Sequence, residues 1–200
     1  MATPQATTKN VRLVPARTDD EPAFTDRFQD YLAELAQFTG SRPNRRGLYE
    51  YHGYERYWHD RRRHPFFIEA AGRRAGLLLL RELPARESDH AARSLQVAEI
   101  CVFRPHRRRG VARATIRLAA AMAERNGLPL TWSAYMSNAP AVALYESVLD
   151  EFRSQPRPWT VERRRGIDRS GLARYYYRMD PPEGTPRSRP GERADGPDPP

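Results

Sequence analysis

The sequence predicts a mixed α/β (α+β) domain, a mostly antiparallel central sheet flanked by helices. Two strand-like runs sit either side of the turn Ala71-Gly72-Arg73, as an antiparallel hairpin requires. Segments with helical spacing of apolar residues interrupt the strand series rather than gather at one end. At 200 residues the chain is one domain's worth. Such a length buries roughly 70% of the unfolded surface, so no metal or disulfide staple is needed.

The elements follow in order. Val11 and Leu13 alternate as a first strand. Thr18-Asp19-Asp20 offers caps for a helix carrying Phe24, Phe28, Tyr31, Leu32 and Leu35, which Gly40 and Pro43 end. Tyr51, Tyr54 and Trp58 recur at i, i+3 and i+7 within Gly47 to Asp60, predicting a short helix. Pro65 to Ala70 and Ala75 to Leu83 form the hairpin, and Pro84 to Arg93 is a polar loop. Leu95 to Phe103 alternates as a strand. Its period of 2 predicts Val97, Glu99, Cys101 and Phe103 on one face and Ala98, Ile100 and Val102 on the other. Gly110 to Arg125 is a strong helix with the stripe Ala112, Ile116, Ala119, Ala120 and Ala123, stopped by Gly127. Leu128 to Ala134 is a strand. Asn138 caps a helix that puts Ala141, Leu144, Tyr145, Val148 and Phe152 on one face. Trp159 to Arg164 and Ala173 to Met179 close the chain as a hairpin. Residues 10–180 are thus the expected folded body. The lead 1–9 and the Pro/Gly/charged tail 181–200 lack the apolar residues to offset their ordering entropy, and are expected to be disordered.

Charge and cysteine usage narrow the classes. The formal net charge is +9 at pH 7, and Lys9 is the only lysine. An arginine, alanine and proline excess of this kind reflects a GC-rich genome as much as a polyanion partner. Nucleic acid is therefore the lesser reading, because the aromatic residues fall on apolar stripes rather than between exposed basic ones. Cys101 stands alone, which excludes an intramolecular disulfide and argues against a cysteine-based zinc site. His52, His59, His64, His90 and His106 show no metal-ligand spacing, and no metal is expected. No apolar run approaches the roughly 20 residues that span a bilayer, and Met1 to Asn10 has no apolar stretch, so no secretory signal is expected. A cytoplasmic location without membrane contact is the expectation; a homodimer stays open.

The chemistry-bearing segment runs from Glu99 to Ala112. A strand feeds a basic loop, Arg107-Arg108-Arg109, then Gly110-Val111-Ala112 at the start of a helix. Strand, glycine loop and helix start make a phosphate cradle, because backbone N–H groups and the helix dipole favour an anion there. A basic turn that merely caps a helix has the same appearance. Neither the lysine of a P-loop nor the three glycines of a dinucleotide fingerprint is present.

Arg107-x-x-Gly110-x-Ala112 matches the Q/R-x-x-G-x-G/A loop of the GNAT acetyltransferases. Beyond a strand, Asn138-Ala-Pro-Ala141-Val-Ala-Leu144-Tyr145-Glu146 resembles that family's second signature, N-x-x-A-x-x-L-Y-E. The resemblance covers residues 10–180. Ala112 replaces the commoner glycine, Pro105 sits one residue late, and Val148 to Phe152 stands where Gly-Phe is usual. Tyr54-x-x-Tyr57-Trp58, Pro65-Phe66-Phe67-Ile68 and Ala98-Glu99 are similar to a little-characterised bacterial branch.

The resemblance implies the GNAT fold, acetyl-CoA as cosubstrate, and direct acetyl transfer to the amine of a small molecule in a ternary complex. It implies that the backbone of Ile100, Cys101 and Val102 pairs with the pantetheine arm, and that Arg107 to Ala112 and Asn138 hold the cofactor. Glu99 is the candidate base, because a protonated amine must lose a proton before it attacks; a cross-strand ion pair is the other reading. Tyr145 is the candidate acid, placed by the family beside the cofactor sulfur; it also lies on its helix's apolar stripe, as a core tyrosine would. Tyr51, Tyr54 and Trp58 fall where the family builds an acceptor wall, with a core role as the alternative; His52 and His64 read first as surface histidines, with pocket lining as the lesser reading. Cys101 reads as a small buried residue. A non-catalytic protein that binds CoA or nucleic acid on the same fold is the competing function. The joint presence of Glu99 and Tyr145 favours the enzyme.

Overall fold

A computed structural model describes residues 10–85, 93–182 and 184. The expected disordered lead, almost all of the tail and most of the Pro84 to Arg93 loop lie outside the described residues. Seven strands form one sheet: β1 (Val11–Pro15), β2 (Arg63–Ala70), β3 (Arg73–Leu83), β4 (Ser94–Val102), β5 (Leu130–Tyr135), β6 (Thr160–Ile167) and β7 (Ala173–Asp180), in the order β1-β2-β3-β4-β5-β7-β6. Only β4 and β5 run parallel; the other neighbours are antiparallel. Among the described residues three α-helices cover the faces: α1 (Glu21–Thr39), α2 (Val111–Arg125) and α3 (Ala139–Arg153).

The run Leu77-Leu78-Leu79-Leu80 shows why the sheet needs helices on both sides. Leu77 and Leu79 pack with Phe24, Phe28 and Leu32 of α1, and Leu78 and Leu80 pack with α2 and α3. A strand buried on both faces has no polar alternation, so a continuous apolar run is the expected signature. Phe66 and Phe67 on β2 divide between the two layers in the same way. Burying a large apolar side chain contributes about 1.5–3 kcal/mol. Fully buried Phe24, Phe28, Leu77 and Leu79 therefore fix the position of α1 against the sheet.

Local chemistry starts and stops the helices. Gly40 takes φ 68° at the end of α1 and donates its N–H to the Ala36 carbonyl. The Asn138 side-chain oxygen accepts the Ala141 N–H at 3.3 Å, capping α3. The β2–β3 turn puts both Ala71 (φ 51°) and Gly72 (φ 74°) in the left-handed region, the backbone a two-residue hairpin loop demands. The expected helix within Gly47 to Asp60 is reduced to one 3-10 turn, Glu55–Trp58. Tyr57 is buried in that turn, and the flanking residues are held by contacts to α1 rather than by helical bonds.

Candidate active site

β4 carries an irregularity that sets the site. Leu79 on β3 pairs with Glu99, but Leu80 pairs with Val97, so Ala98 is an extra residue on β4. Such a bulge breaks the period of 2. Val97 consequently packs in the α2/α3 layer, while Cys101 packs in the α1 layer. This corrects the expectation that Val97 shares a face with Glu99 and Cys101. Ile100 and Val102 face the α2/α3 layer, opposite Cys101.

The same strand parts from its neighbour. β5 pairs with β4 only through Leu95 and Gln96, opposite Leu130 and Thr131. Beyond that point the β4 edge from Glu99 to Val102 has no ladder partner on β5, which leaves backbone groups short of the Val102 carbonyl, itself taken by Arg107, available to an extended ligand. Gly76 on β3 permits the close packing behind this segment, since a Cβ there would meet the Cys101 carbonyl oxygen at 2.1 Å.

At the open end of this cleft stands the loop to α2. A 3-10 turn, Arg104–His106, leads into Arg108 at φ 58° and Gly110 at φ 75°. Gly110 is the N-cap of α2. The first N–H groups of a helix have no partner within it, and the helix dipole adds positive potential there. This cradle suits a phosphate. Arg108 and Arg109 are exposed. Arg107 is turned back: its Nε donates to the Val102 carbonyl at 2.8 Å, and its Nη2 meets Glu34 on α1 at 2.5 Å. Arg104 also binds Glu34, at 2.8 Å. These bonds outweigh the effect of burial on Glu34 and hold its carboxyl below its ordinary value.

Glu99 lies where β4 and β5 diverge. It is partly buried, its remaining surface lining two adjoining cavities. The smaller, about 90 Å³, also reaches Tyr31, Ile100, Ala134, Asn138, Ala141 and Tyr145. The larger, about 250 Å³, is bordered by Tyr51, Arg81, Gln96, Ser133, Tyr135 and Arg174. Tyr31 donates its hydroxyl proton to Glu99 Oε2 at 2.5 Å. Burial raises the Glu99 pKa; hydrogen bonds from Tyr31 and Tyr51 and the charges of Arg174 and Arg81 partly oppose the rise. A carboxylate so placed takes up protons more readily than one in water.

Tyr145 is 7% exposed and packs against both Trp132 and Tyr177, which stack on each other, with ring centroids 5.7 and 5.5 Å away. Burial, then the charge of Glu99, pushes its hydroxyl pKa upward. Its proton is therefore retained across the physiological range. Cys101 is buried, and burial lifts its thiol to about 12, which keeps it protonated and poorly nucleophilic.

The sequence-predicted residues separate on this geometry. Glu99, Ile100, Asn138 and Tyr145 meet at one cavity. Of the aromatic trio, Tyr51 borders the larger cavity, whereas Tyr54 stacks on Phe28 at 4.9 Å and Trp58 meets Phe24 edge-on at 5.6 Å in the core under α1. His64 lies near Glu82 at 3.6 Å, and His52 is exposed. Sequence reasoning missed Tyr31, Arg81, Gln96, Ser133, Tyr135 and Arg174. Tyr31 alone had a signal, since it sat at the margin of the α1 stripe and carried a polar group.

The chain matches the Acetyltransferase (GNAT) family over residues 26–150. This protein belongs to that family of N-acetyltransferases. No curated protein matches the sequence. Among solved structures it resembles an acetyltransferase from Thermus thermophilus, at 18% identity and TM-score 0.59, over 86% of this chain and 99% of that one. It also resembles Arabidopsis thaliana NAA60 in complex with acetyl-CoA, at 14% identity and TM-score 0.57, over 86% and 99% of the two chains. The ribosomal-protein-S18-alanine N-acetyltransferase of Escherichia coli is similar at 16% identity and TM-score 0.51, over 86% and 95%. Among the described residues no helix is long and apolar enough to cross a membrane.

Proposed function

We propose that this protein transfers an acetyl group from acetyl-CoA to the amine of a small molecule, by direct attack in a ternary complex. The observation that carries the reading is the meeting of Glu99 and Tyr145 at one cavity, where β4 and β5 part. Acetyl-CoA supplies an activated thioester when bound. The residues that would hold it are the β4 backbone from Ile100 to Val102, the loop amides from Arg107 to Ala112, and Asn138. The cleft edge and the α2 N-terminus fit an extended arm that ends in phosphates.

Glu99 accepts the proton of the incoming ammonium, directly or through one water. Its raised pKa brings it nearer to the amine it must deprotonate, which favours general-base work. Tyr31 and Tyr51 orient its carboxylate and preserve enough acidity for it to ionise. Tyr145 keeps its hydroxyl proton and offers it as a hydrogen-bond donor in the same cavity. With its pKa raised, the hydroxyl stabilises negative charge by hydrogen bonding more readily than by surrendering the proton. Cys101, protonated and packed under α1, takes no part in an acyl-enzyme step.

Two measurements test this reading: calorimetric titration with CoA and acetyl-CoA, and release of CoA thiol over a panel of amines. Binding together with turnover on at least one amine is the expected result. Binding with no turnover on any amine would favour a non-catalytic CoA-binding protein.

A further inference from the structure

The larger cavity carries more than a base. Glu99, Arg81 and Arg174 all border its roughly 250 Å³. The sheet explains the grouping. Leu79 on β3 pairs with Glu99 and faces the α1 layer. Arg81, two residues on, returns to that face and lies opposite Gln96. Arg174 on β7 pairs with Tyr135 on β5, across the opened cleft.

The two arginines are held differently. Arg174 is compensated and locked: its Nε lies 2.8 Å from Asp168 Oδ2, its Nη1 donates to Ser133 Oγ at 2.8 Å, and its guanidinium sits 3.8 Å from the Tyr135 ring centroid. Arg81 donates through Nε to the neutral Gln96 Oε1 at 2.5 Å. Among the described residues Arg81 has no carboxylate within ion-pair distance. It is partly buried, so its charge is only partly hydrated. The cavity thus presents two carboxylates, the partly buried Glu99 and the exposed Glu50, with one compensated cation and one cation whose hydrogen-bond partner is neutral.

From this juxtaposition we propose that the acceptor is a small amino acid-like zwitterion, its amine facing Glu99 and its carboxylate bound by Arg81. This rests on the reading of Glu99 as the base. A guanidinium fork matches a carboxylate bidentately, and such charge-assisted bonds are the stronger kind. Polycationic amines fit less well, because a further ammonium group facing Arg81 meets like charge and only the exposed Glu50 offers a second carboxylate.

The test compares kcat/KM, with acetyl-CoA as donor, on free α-, β- and γ-amino acids, their amides and methyl esters, short peptides, polyamines and an aminoglycoside. Free acids are expected to exceed their own amides about 10- to 100-fold, the range of one charged hydrogen bond. Arg81→Gln and Arg81→Lys are then compared for the acid-to-amide ratio. Arg81→Gln should raise KM for the acid and collapse the ratio toward one, while Arg81→Lys should keep part of it. The wild-type ratio needs no variant, so a misfolded substitution leaves the inference open to refutation. Preference for polyamines, aminoglycosides, peptides or amides overturns the zwitterion assignment and leaves the acetyltransferase reading standing. Turnover of no amine, with CoA still bound, overturns both.

Discussion

Tyr31 on α1 donates its hydroxyl proton to Glu99 on β4 at 2.5 Å, joining a helix near the start of the chain to the strand that lines the cleft. The contact spans 68 positions of sequence. It gives α1 a role in the proposed chemistry as well as in the core.

Removing that hydroxyl should retune the base. In Tyr31→Phe the carboxylate loses a hydrogen bond that favours its charged form, so the Glu99 pKa should rise further. A bond to a charged group contributes about 1.5–3 kcal/mol, equivalent to about one to two pH units. The ascending limb of the kcat/KM profile should move up in pH by roughly that amount, with CoA affinity unchanged. A profile that stays in place would show that Tyr31 only packs.

Glu99→Gln separates activity from stability. Loss of a general base typically lowers the rate about 10²- to 10⁴-fold, and the deficit should shrink at alkaline pH, where the amine deprotonates unaided. Stability should move the other way. Because the folded pKa is raised, folded protein keeps a proton that the unfolded chain has already released. Wild-type stability therefore falls as pH rises from the ordinary carboxylate value through the raised one, and is unaffected below both. A glutamine side chain does not titrate and carries no such cost. The Tm advantage of the variant should therefore grow with pH through that window and then level off.

Tyr145→Phe keeps the ring that packs on Trp132 and Tyr177 and removes only the hydroxyl. The expected result is a kcat lowered by about 10²-fold or more with little change in CoA affinity or Tm. Unchanged kcat would leave Tyr145 as a core residue.

Gly110→Asp tests the phosphate cradle. Aspartate is among the residues that tolerate φ 75°, and it caps helices well, so the fold should survive. Its charge would stand against the pyrophosphate. CoA binding should weaken at least tenfold while the far-ultraviolet spectrum stays unchanged.

Gly76→Ala tests the close packing behind β4. Its added Cβ would meet the Cys101 carbonyl at 2.1 Å, so backbone must move. Overpacking of this kind costs about 1–3 kcal/mol, or about 2–4 °C in Tm per kcal/mol for a chain of this size. Because the displaced atom lies on the β4 segment proposed to hold CoA, affinity should fall with stability.

Sequence alone determined the order of strands and helices, the hairpin at Ala71-Gly72, the α3 cap at Asn138 and the two motifs that place the chain in its family. Each is written in neighbouring residues: a period of 2 or 3.6, a glycine where φ must be positive, a capping side chain. The proposal of Glu99 and Tyr145 as site residues starts from local signals too, strand alternation for Glu99 and the Asn138 to Glu146 motif for Tyr145. The tertiary structure alone decided the rest. The extra residue at Ala98 arises from the mismatch between β3 and β4, so it turned Val97 away from Glu99 with no local signal. Tyr51, Tyr54 and Trp58 had one helical spacing and all pack against the phenylalanines of α1, yet of the three Tyr51 also borders the larger cavity, which only the packing of distant segments decides. Arg81 and Arg174 looked like two of many arginines. Only the opening between β4 and β5, and the return of β7 beside β5, brought their charges to the carboxylate of Glu99, because such proximity is set by how distant segments pack and leaves no periodic trace in the chain.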